Sequence, residues 1–329
     1  MIVVTGGAGF IGSAFVWKLN QEGIDDIIIV DRLGTSDKWK NLVNLRFENY
    51  LHKDEFREMI RCDTAGFDIE AIIHMGACSS TTERDADYLW DNNNNYTALL
   101  ARWAIDRGVR FIYASSAATY GSGRQGFSDD HEKIPSLRPI NMYGYSKQVF
   151  DLKTLRCGWE SKIAGIKFFN VFGPNEYHKG EMTSVVFKSF HQILRTGRVK
   201  LFKSHLPEYS DGGQMRDFVY VKDCVDVMWW LLKNEGVNGI FNLGTGRART
   251  WNDLIRAVFD AMGLAPEIEY IDMPDELRNQ YQYFTEAKTD KLRGLGCPVD
   301  FSSLENSVGD YVQNYLRQTD QHLGNNRTA

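Results

Sequence analysis

Tyr143-Gly-Tyr-Ser-Lys147 places a phenol and an ammonium four residues apart. On a helix, positions at that spacing share one face. A free tyrosine, with a pKa of about 10, is a poor base at neutral pH. A neighbouring lysine charge favours the phenolate and lowers that pKa, so such a pair can move a proton at a carbinol carbon. Tyr145, two residues from Lys147, faces away from it and cannot replace Tyr143. Taken alone the pattern is common and fits an exposed helical pair equally well, so its surroundings decide.

A second constellation lies at the start of the chain. Gly6-Gly-Ala-Gly9-Phe-Ile-Gly12 follows an apolar run and opens an amphipathic one. In a strand–turn–helix setting, Gly6 permits the tight turn, Gly9 lets the backbone approach a pyrophosphate, and Gly12 lets the helix pack closely on the sheet. Asp31 ends the next apolar run, where a carboxylate reaches an adenosine ribose. A free 2′-hydroxyl beside Asp31 favours NAD, whereas the cations Arg32 and Lys38 just beyond it suit the 2′-phosphate of NADP. The expectation is NADP(H), with NAD as the alternative.

These residues need a frame. Apolar and amphipathic stretches alternate over the first half, with strands expected at Ile2–Thr5, Ile27–Asp31, Leu45–Asn49, Ala71–Met75, Arg110–Ser115 and Ile163–Val171. Helices are expected at Phe10–Glu22, from Asp54, at Ala86–Arg107 and at Gly144–Gly158. Strands apolar on both faces, alternating with helices, predict an α/β fold with a doubly wound parallel (Rossmann) sheet. The expected division is a dinucleotide-binding domain over 1–170, with returning segments near 217–247 and 282–300. A smaller α/β substrate-binding domain is expected from 171–216, 248–281 and 301–329. In that second part Gly173-Pro174 breaks the sixth strand, and helices follow at Thr183–Thr196, Cys224–Asn234, Trp251–Met262 and Ser303–Leu316. Residues Ser204–Gln214 read as a surface loop, Asn92–Asn95 as a solvated helix face, and the tail after Gln318 as frayed.

The fifth strand runs into Tyr113-Ala-Ser115-Ser116-Ala-Ala-Thr-Tyr-Gly121. A hydroxyl at the carboxyl end of a central strand lies where such sheets bind ligands, so Ser116 is a candidate to bridge the substrate oxygen handled by Tyr143. Ser115 reads as satisfying local structure.

The bulk properties narrow the classes. With 329 residues the chain can bury a sizeable core, and a net charge of -5 argues against a nucleic-acid binder driven by phosphate contacts. The five scattered cysteines form neither a zinc signature nor a disulfide framework, so no metal is expected. No apolar run is long enough to span a membrane, and the chain enters a strand at once, which makes the cytoplasm the expected location.

With these parts in place the chain resembles the extended short-chain dehydrogenase/reductase family over nearly its whole length. The matching residues are Gly6–Gly12, Asp31, His74-Met-Gly-Ala77, Ser116, Tyr143, Lys147 and Phe241-Asn-Leu-Gly-Thr-Gly246. Within that family it is most similar to the epimerases of ADP-linked heptoses. The segments Gly76-Ala-Cys-Ser-Ser-Thr-Thr-Glu83, Asn170-Val-Phe-Gly-Pro174, His178-Lys-Gly180, Arg216-Asp-Phe-Val-Tyr-Val221 and Asn242–Ala248 carry that likeness.

The resemblance implies that Tyr143 is the proton acceptor, Lys147 the lysine on the cofactor ribose, and Lys179 a second acid/base. It places Phe10, Ile11, Asp31, Arg32, Lys38, Lys53, Met75, Gly76, Ala77, Cys78, Ser79, Asn92 and Val171 at cofactor contacts. Asn170, Glu181, Lys188, Arg216 and Tyr281 fall at substrate contacts, with Arg216 suited to a diphosphate. Glu181 and Lys188 depart from the small and imidazole residues of the family pattern, and Phe202–Gln214 is longer than usual. The implied reaction is oxidation of an exocyclic carbinol to a ketone and reduction on its other face, which suits two acid/base groups. A homo-oligomer, a pentamer by the same resemblance, is implied as well.

Two other readings remain. Another nucleotide-sugar enzyme, such as a UDP-galactose 4-epimerase or a 4,6-dehydratase, shares the fold. A dehydratase usually carries acidic residues near the central-strand serine, and Ala117-Ala118-Thr119 supplies none. A cofactor-sensing binding protein would have lost Tyr143 or Lys147, and both are present.

Overall fold

The structure, a computed structural model, describes residues 1–66, 68–278 and 281–324. Its strands in chain order are β1 (Ile2–Thr5), β2 (Ile27–Asp31), β3 (Asn49–His52), β4 (Ala71–His74), β5 (Arg110–Ser116), β6 (Ala164–Phe168), β7 (Asn170–Phe172), β8 (Val199–Phe202), β9 (Met215–Arg216), β10 (Phe218–Tyr220), β11 (Gly239–Leu243), β12 (Arg249–Thr250) and β13 (Ile268–Ile271). Seven of them form one sheet in the order β11-β6-β5-β4-β1-β2-β3. Every pairing in that sheet is parallel. This is the doubly wound architecture that the alternating pattern predicts, with its switch point between β1 and β4.

Adjacent residues of the inner strands feed opposite layers. Val4, Ile29, Ile73 and Ile112 join one apolar cluster with the helices Phe10–Gln21 and Val221–Lys233. Val3, Ile28, Ile72 and Phe111 join the other with Phe56, Tyr96 and Phe150. Two buried faces explain why the strands read as unbroken apolar runs. His74, at the end of β4, bonds Thr5 on β1 and Thr97 on the following helix, at 2.6 and 2.9 Å. Burial pushes its pKa down to about 3, so it is a neutral clamp beside the switch point.

Four expectations need correction. The third strand lies at Asn49–His52, not Leu45–Asn49. Among the described residues it pairs only with β2, an edge position that accepts polar residues, while Leu45 enters the core from the preceding loop. The expected strand Ile163–Val171 is two strands. β6 follows β11 as far as Leu243, where the amide of Phe169 donates to the Leu243 carbonyl; β7 then pairs with β10 instead.

Asn92–Asn95 is not a solvated face. It is a π-helical stretch between the helices Ala86–Leu89 and Tyr96–Arg107, and Asn92, Asn93 and Asn94 are buried. The widened turn aims the Asn93 amide inward, where it bonds both the N–H and the carbonyl of Cys78 and the Ser146 hydroxyl.

The tail after Gln318 is docked as far as Gly324; residues 325–329 lie outside the described residues. Leu323 is buried and its amide donates to Asn175 Oδ1 at 2.9 Å. Among the described residues no helix is long and apolar enough to cross a membrane.

Candidate active site

A cleft of about 830 Å³ opens over the carboxyl ends of β1, β4 and β5, where an open parallel sheet binds ligands. The glycine turn forms one wall. Gly6 has φ +65°, and a Cβ there would stand 2.6 Å from the Gly76 amide. A Cβ on Gly12 would stand 2.1 Å from the Gly6 carbonyl. The turn therefore closes on itself and on the loop after β4, which only glycine permits. Gly9 caps the helix Phe10–Gln21 with no side-chain hydrogen bond, and Gly6, Gly9 and Gly12 all line the cleft. A bare helix N-terminus beside a backbone cradle fits the pyrophosphate of a dinucleotide. Phe10, Ile11, Met75, Gly76, Ala77, Cys78, Ser79 and Val171 line the same cleft.

Asp31 closes the far end of that wall. Its Oδ2 accepts from the Ala8 amide at 2.9 Å; its Oδ1 accepts from the Arg32 amide at 2.7 Å and the Lys38 ammonium at 2.9 Å. Lys38 lines the cleft, whereas the Arg32 side chain is exposed and outside it. Lys53 also lies outside, paired with Asp54 at 2.9 Å, as does Asn92, buried against Asn93.

The candidate proton-handling pair sits on the helix Met142–Arg156, capped by the Asn141 side chain on the Gly144 amide. Tyr143 and Lys147 face the cleft, and Tyr145 is 54% exposed. Ser116, whose Oγ accepts from the Ala118 amide at 3.1 Å, lines the cleft with Tyr143. Burial pushes the phenol pKa up against a smaller downward pull from Ser116.

The expected depression by Lys147 is absent. The Lys147 ammonium is buried and donates to the Ala114 carbonyl on β5 at 2.7 Å, which directs its charge at the strand. Burial in turn pushes Lys147 down to about 8, with Asp151 and Cys78 opposing. Ser115, the expected structural serine, donates to Asp151 at 2.7 Å.

Lys179 comes from the turn Tyr177–Met182 across the cleft. Its ammonium lies 5.3 Å from the Phe10 ring centre, and among the described residues no carboxylate forms an ion pair with it. Burial lowers its pKa, with Glu176 pulling the other way. His178 beside it is pushed down to about 4 by burial and by the charges of Lys38 and Lys179, so it is neutral.

Arg216 also lines the cleft. It is 7% exposed and no carboxylate pairs with it among the described residues, which removes the alternative of a surface ion pair. Its guanidinium donates to the carbonyls of Met215 and Gln282 and packs 5.6 and 5.4 Å from the ring centres of Trp251 and Tyr281. Asn170 and Tyr281 line the cleft with it. Glu181 and Lys188 do not: they hydrogen-bond each other on the outer surface.

Sequence reasoning missed Asn41, Gln282 and Thr285. Buried Asn41 donates to the Ala8 and Asn175 carbonyls and contacts His178 Nδ1, tying the glycine turn to the Lys179 segment. Gln282 and Thr285 line the cleft from an irregular stretch that carries no pattern of its own.

A dinucleotide cradle, a half-buried phenol and three cleft lysines on a doubly wound sheet define a nicotinamide-dependent enzyme. The chain belongs to the NAD dependent epimerase/dehydratase family, whose sequence profile matches residues 2–244. It is 60% identical over 323 residues to an ADP-L-glycero-D-manno-heptose-6-epimerase of Nitratidesulfovibrio vulgaris (Hildenborough strain), covering 98% of this chain and 100% of that one. It is 50% identical to the enzyme of that name from Fusobacterium nucleatum, again over 98% and 100%. Among solved structures, Helicobacter pylori ADP-L-glycero-D-manno-heptose-6-epimerase superposes with a TM-score of 0.80 at 25% identity over 95% of each chain. Thermotoga maritima UDP-glucose 4-epimerase, solved with UDP-glucose, gives 0.77 at 28% identity over 95% and 97%.

Proposed function

We propose that this chain converts ADP-D-glycero-D-manno-heptose to ADP-L-glycero-D-manno-heptose, a precursor of the lipopolysaccharide inner core, by oxidising and re-reducing C6″. The observation that carries this reading is the pair Tyr143 and Lys179, two proton-handling groups from different elements on one cleft beside a dinucleotide cradle. Near-full-length likeness to the heptose epimerases supports the substrate.

A bound nicotinamide dinucleotide supplies hydride acceptance and hydride return at C6″. Tyr143 or Lys179 takes the C6″ hydroxyl proton, and Ser116 holds that oxygen. The C6″ carbon lies outside the sugar ring, so rotation about C5″–C6″ turns the ketone over. The second of the two groups then protonates the oxygen. Their environments shift them in opposite directions: burial raises Tyr143, favouring the protonated phenol, and lowers Lys179, favouring the neutral amine, so one group can give a proton while the other takes one. Arg216, buried and without a carboxylate partner among the described residues, suits the diphosphate.

For the cofactor we favour NADP. The Asp31 carboxylate is already engaged by Lys38 and by two backbone amides, so the cleft presents Lys38 rather than a free acceptor at that end. The same reading makes the protein a cytoplasmic homo-oligomer, with a pentamer as its expected form, which sedimentation of the purified chain tests.

The redox route is tested by running the reaction in D₂O. Hydride return predicts an epimerised product with no deuterium at C6″. Deuterium at that carbon would mean epimerisation by carbon deprotonation and would overturn the route.

A further inference from the structure

Lys147 is not the last charged residue on the catalytic face of its helix. Asp151 follows at the next turn, fully buried, and its carboxylate accepts three hydrogen bonds. Oδ1 accepts from the Tyr113 hydroxyl at 3.0 Å; Oδ2 accepts from Ser115 at 2.7 Å and from the Lys167 ammonium at 2.5 Å. Lys167, also fully buried, makes a second bond to the Thr119 hydroxyl at 2.7 Å, and Thr119 donates on to the Ser116 carbonyl at 2.8 Å. Room for this is built in: Tyr113 lies across Gly165 of β6, where a Cβ would stand 2.3 Å from its ring.

A buried ion pair is a weak source of stability, because desolvation offsets its attraction. This pair instead reaches both sides of Ser116, through the Ser115 side chain and through Thr119. It also links β5, β6 and the helix of Tyr143 and Lys147.

We propose that the Asp151–Lys167 pair is the positioning device of the proton-handling centre, fixing the strand end that carries Ser116 against the helix that carries Tyr143 and Lys147. The Asp151 carboxylate also acts on Lys147, favouring its charged form against burial. The other ionisable groups facing Lys147 are Tyr143 on the same helix and His74 and Cys78 from β4 and the loop after it. His74 is neutral, so Asp151, with a smaller contribution from Cys78, opposes the cost of burying Lys147.

This role rests on the assignment of Tyr143 and Lys147 above, yet the ionisation of Lys147 can be read without substrate. The full-length chain and its Asp151→Asn/Lys167→Met double variant, which removes both buried charges together, are labelled with trace acetic anhydride across neutral to alkaline pH. The peptide bearing Lys147 is quantified by mass spectrometry. The expected result is a Lys147 titration moved to lower pH by about one unit, a tenfold loss of proton affinity. Turnover of ADP-heptose should fall at least about tenfold with KM little changed. Ser115→Ala keeps both charges, and should lower turnover without moving the titration. A folded double variant with parental titration and turnover overturns the proposal, as does parental turnover in Ser115→Ala. A parent chain with no epimerase activity would instead overturn the substrate reading, while the labelling would still decide whether Asp151 sustains the Lys147 charge.

Discussion

The Lys147 ammonium donates to the carbonyl of Ala114 at 2.7 Å, two residues before Ser116 on the same strand. The helix spacing that brings Lys147 to the face of Tyr143 thus also joins helix to strand. Lys147 combines two tasks: it carries a charge near the reacting groups and fixes the separation of Tyr143 from Ser116.

Its ionisation has a consequence for pH. Burial holds Lys147 at about 8, below the ordinary lysine value. Below that pH the ammonium is present and holds the helix to the strand through the Ala114 carbonyl; as pH rises through it the charge disappears. We expect kcat/KM, which reports the free enzyme, to fall on the alkaline side near that value. In Lys147→Arg, which stays charged, this limb should move to higher pH. An unchanged limb would assign it to another group.

Tyr143→Phe and Lys179→Met each remove one proposed proton-handling group while leaving the glycine turn intact. Each should cost about 10²–10⁴-fold in turnover, the usual range for a lost acid/base, with cofactor affinity retained. Near-parental turnover in Lys179→Met would remove that lysine from the reaction.

Lys38 bonds Asp31 at 2.9 Å in the wall of the cleft. A hydrogen bond to a charged group contributes about 1.5–3 kcal/mol. Lys38→Ala should therefore weaken NADP binding by about 10–100-fold while NAD binding changes far less, read from the protein's tryptophan fluorescence. Tighter binding of NAD than NADP by the parent chain would refute the cofactor assignment.

The docked tail gives a stability prediction. Leu323 is fully buried, and its neighbour Gln321 accepts from the Tyr177 hydroxyl at 2.7 Å, two residues from Lys179. Leu323→Ala should cost about 2–5 kcal/mol, seen as a lower denaturation midpoint. Because the tail braces the Lys179 segment, turnover should fall more than cofactor binding.

Much of this was legible in the sequence because its causes are local. The Gly6–Gly12 spacing dictates a turn only glycine can make, and the Tyr143–Lys147 spacing dictates a shared helix face. What was not legible depends on distant partners. The strand after Ile163 ends at Phe168 because β11 ends beside it and β10 takes up the next residues, which no local pattern signals. Asn92–Asn94 read as solvent-facing because their inward turn exists only once Cys78 and Ser146 offer hydrogen bonds. Asn41 and Leu323 look ordinary until the Lys179 segment is folded against them. Glu181 and Lys188, carried by resemblance to substrate contacts, pair instead on the outer surface, at the two positions where the chain departs from the family pattern.

The most direct measurement follows the configuration of C6″ by NMR while the purified chain acts on ADP-D-glycero-D-manno-heptose, with UDP-galactose in a parallel reaction. The account predicts conversion to the L-glycero epimer and no comparable change in UDP-galactose. An unchanged heptose under conditions where UDP-galactose is epimerised would contradict it.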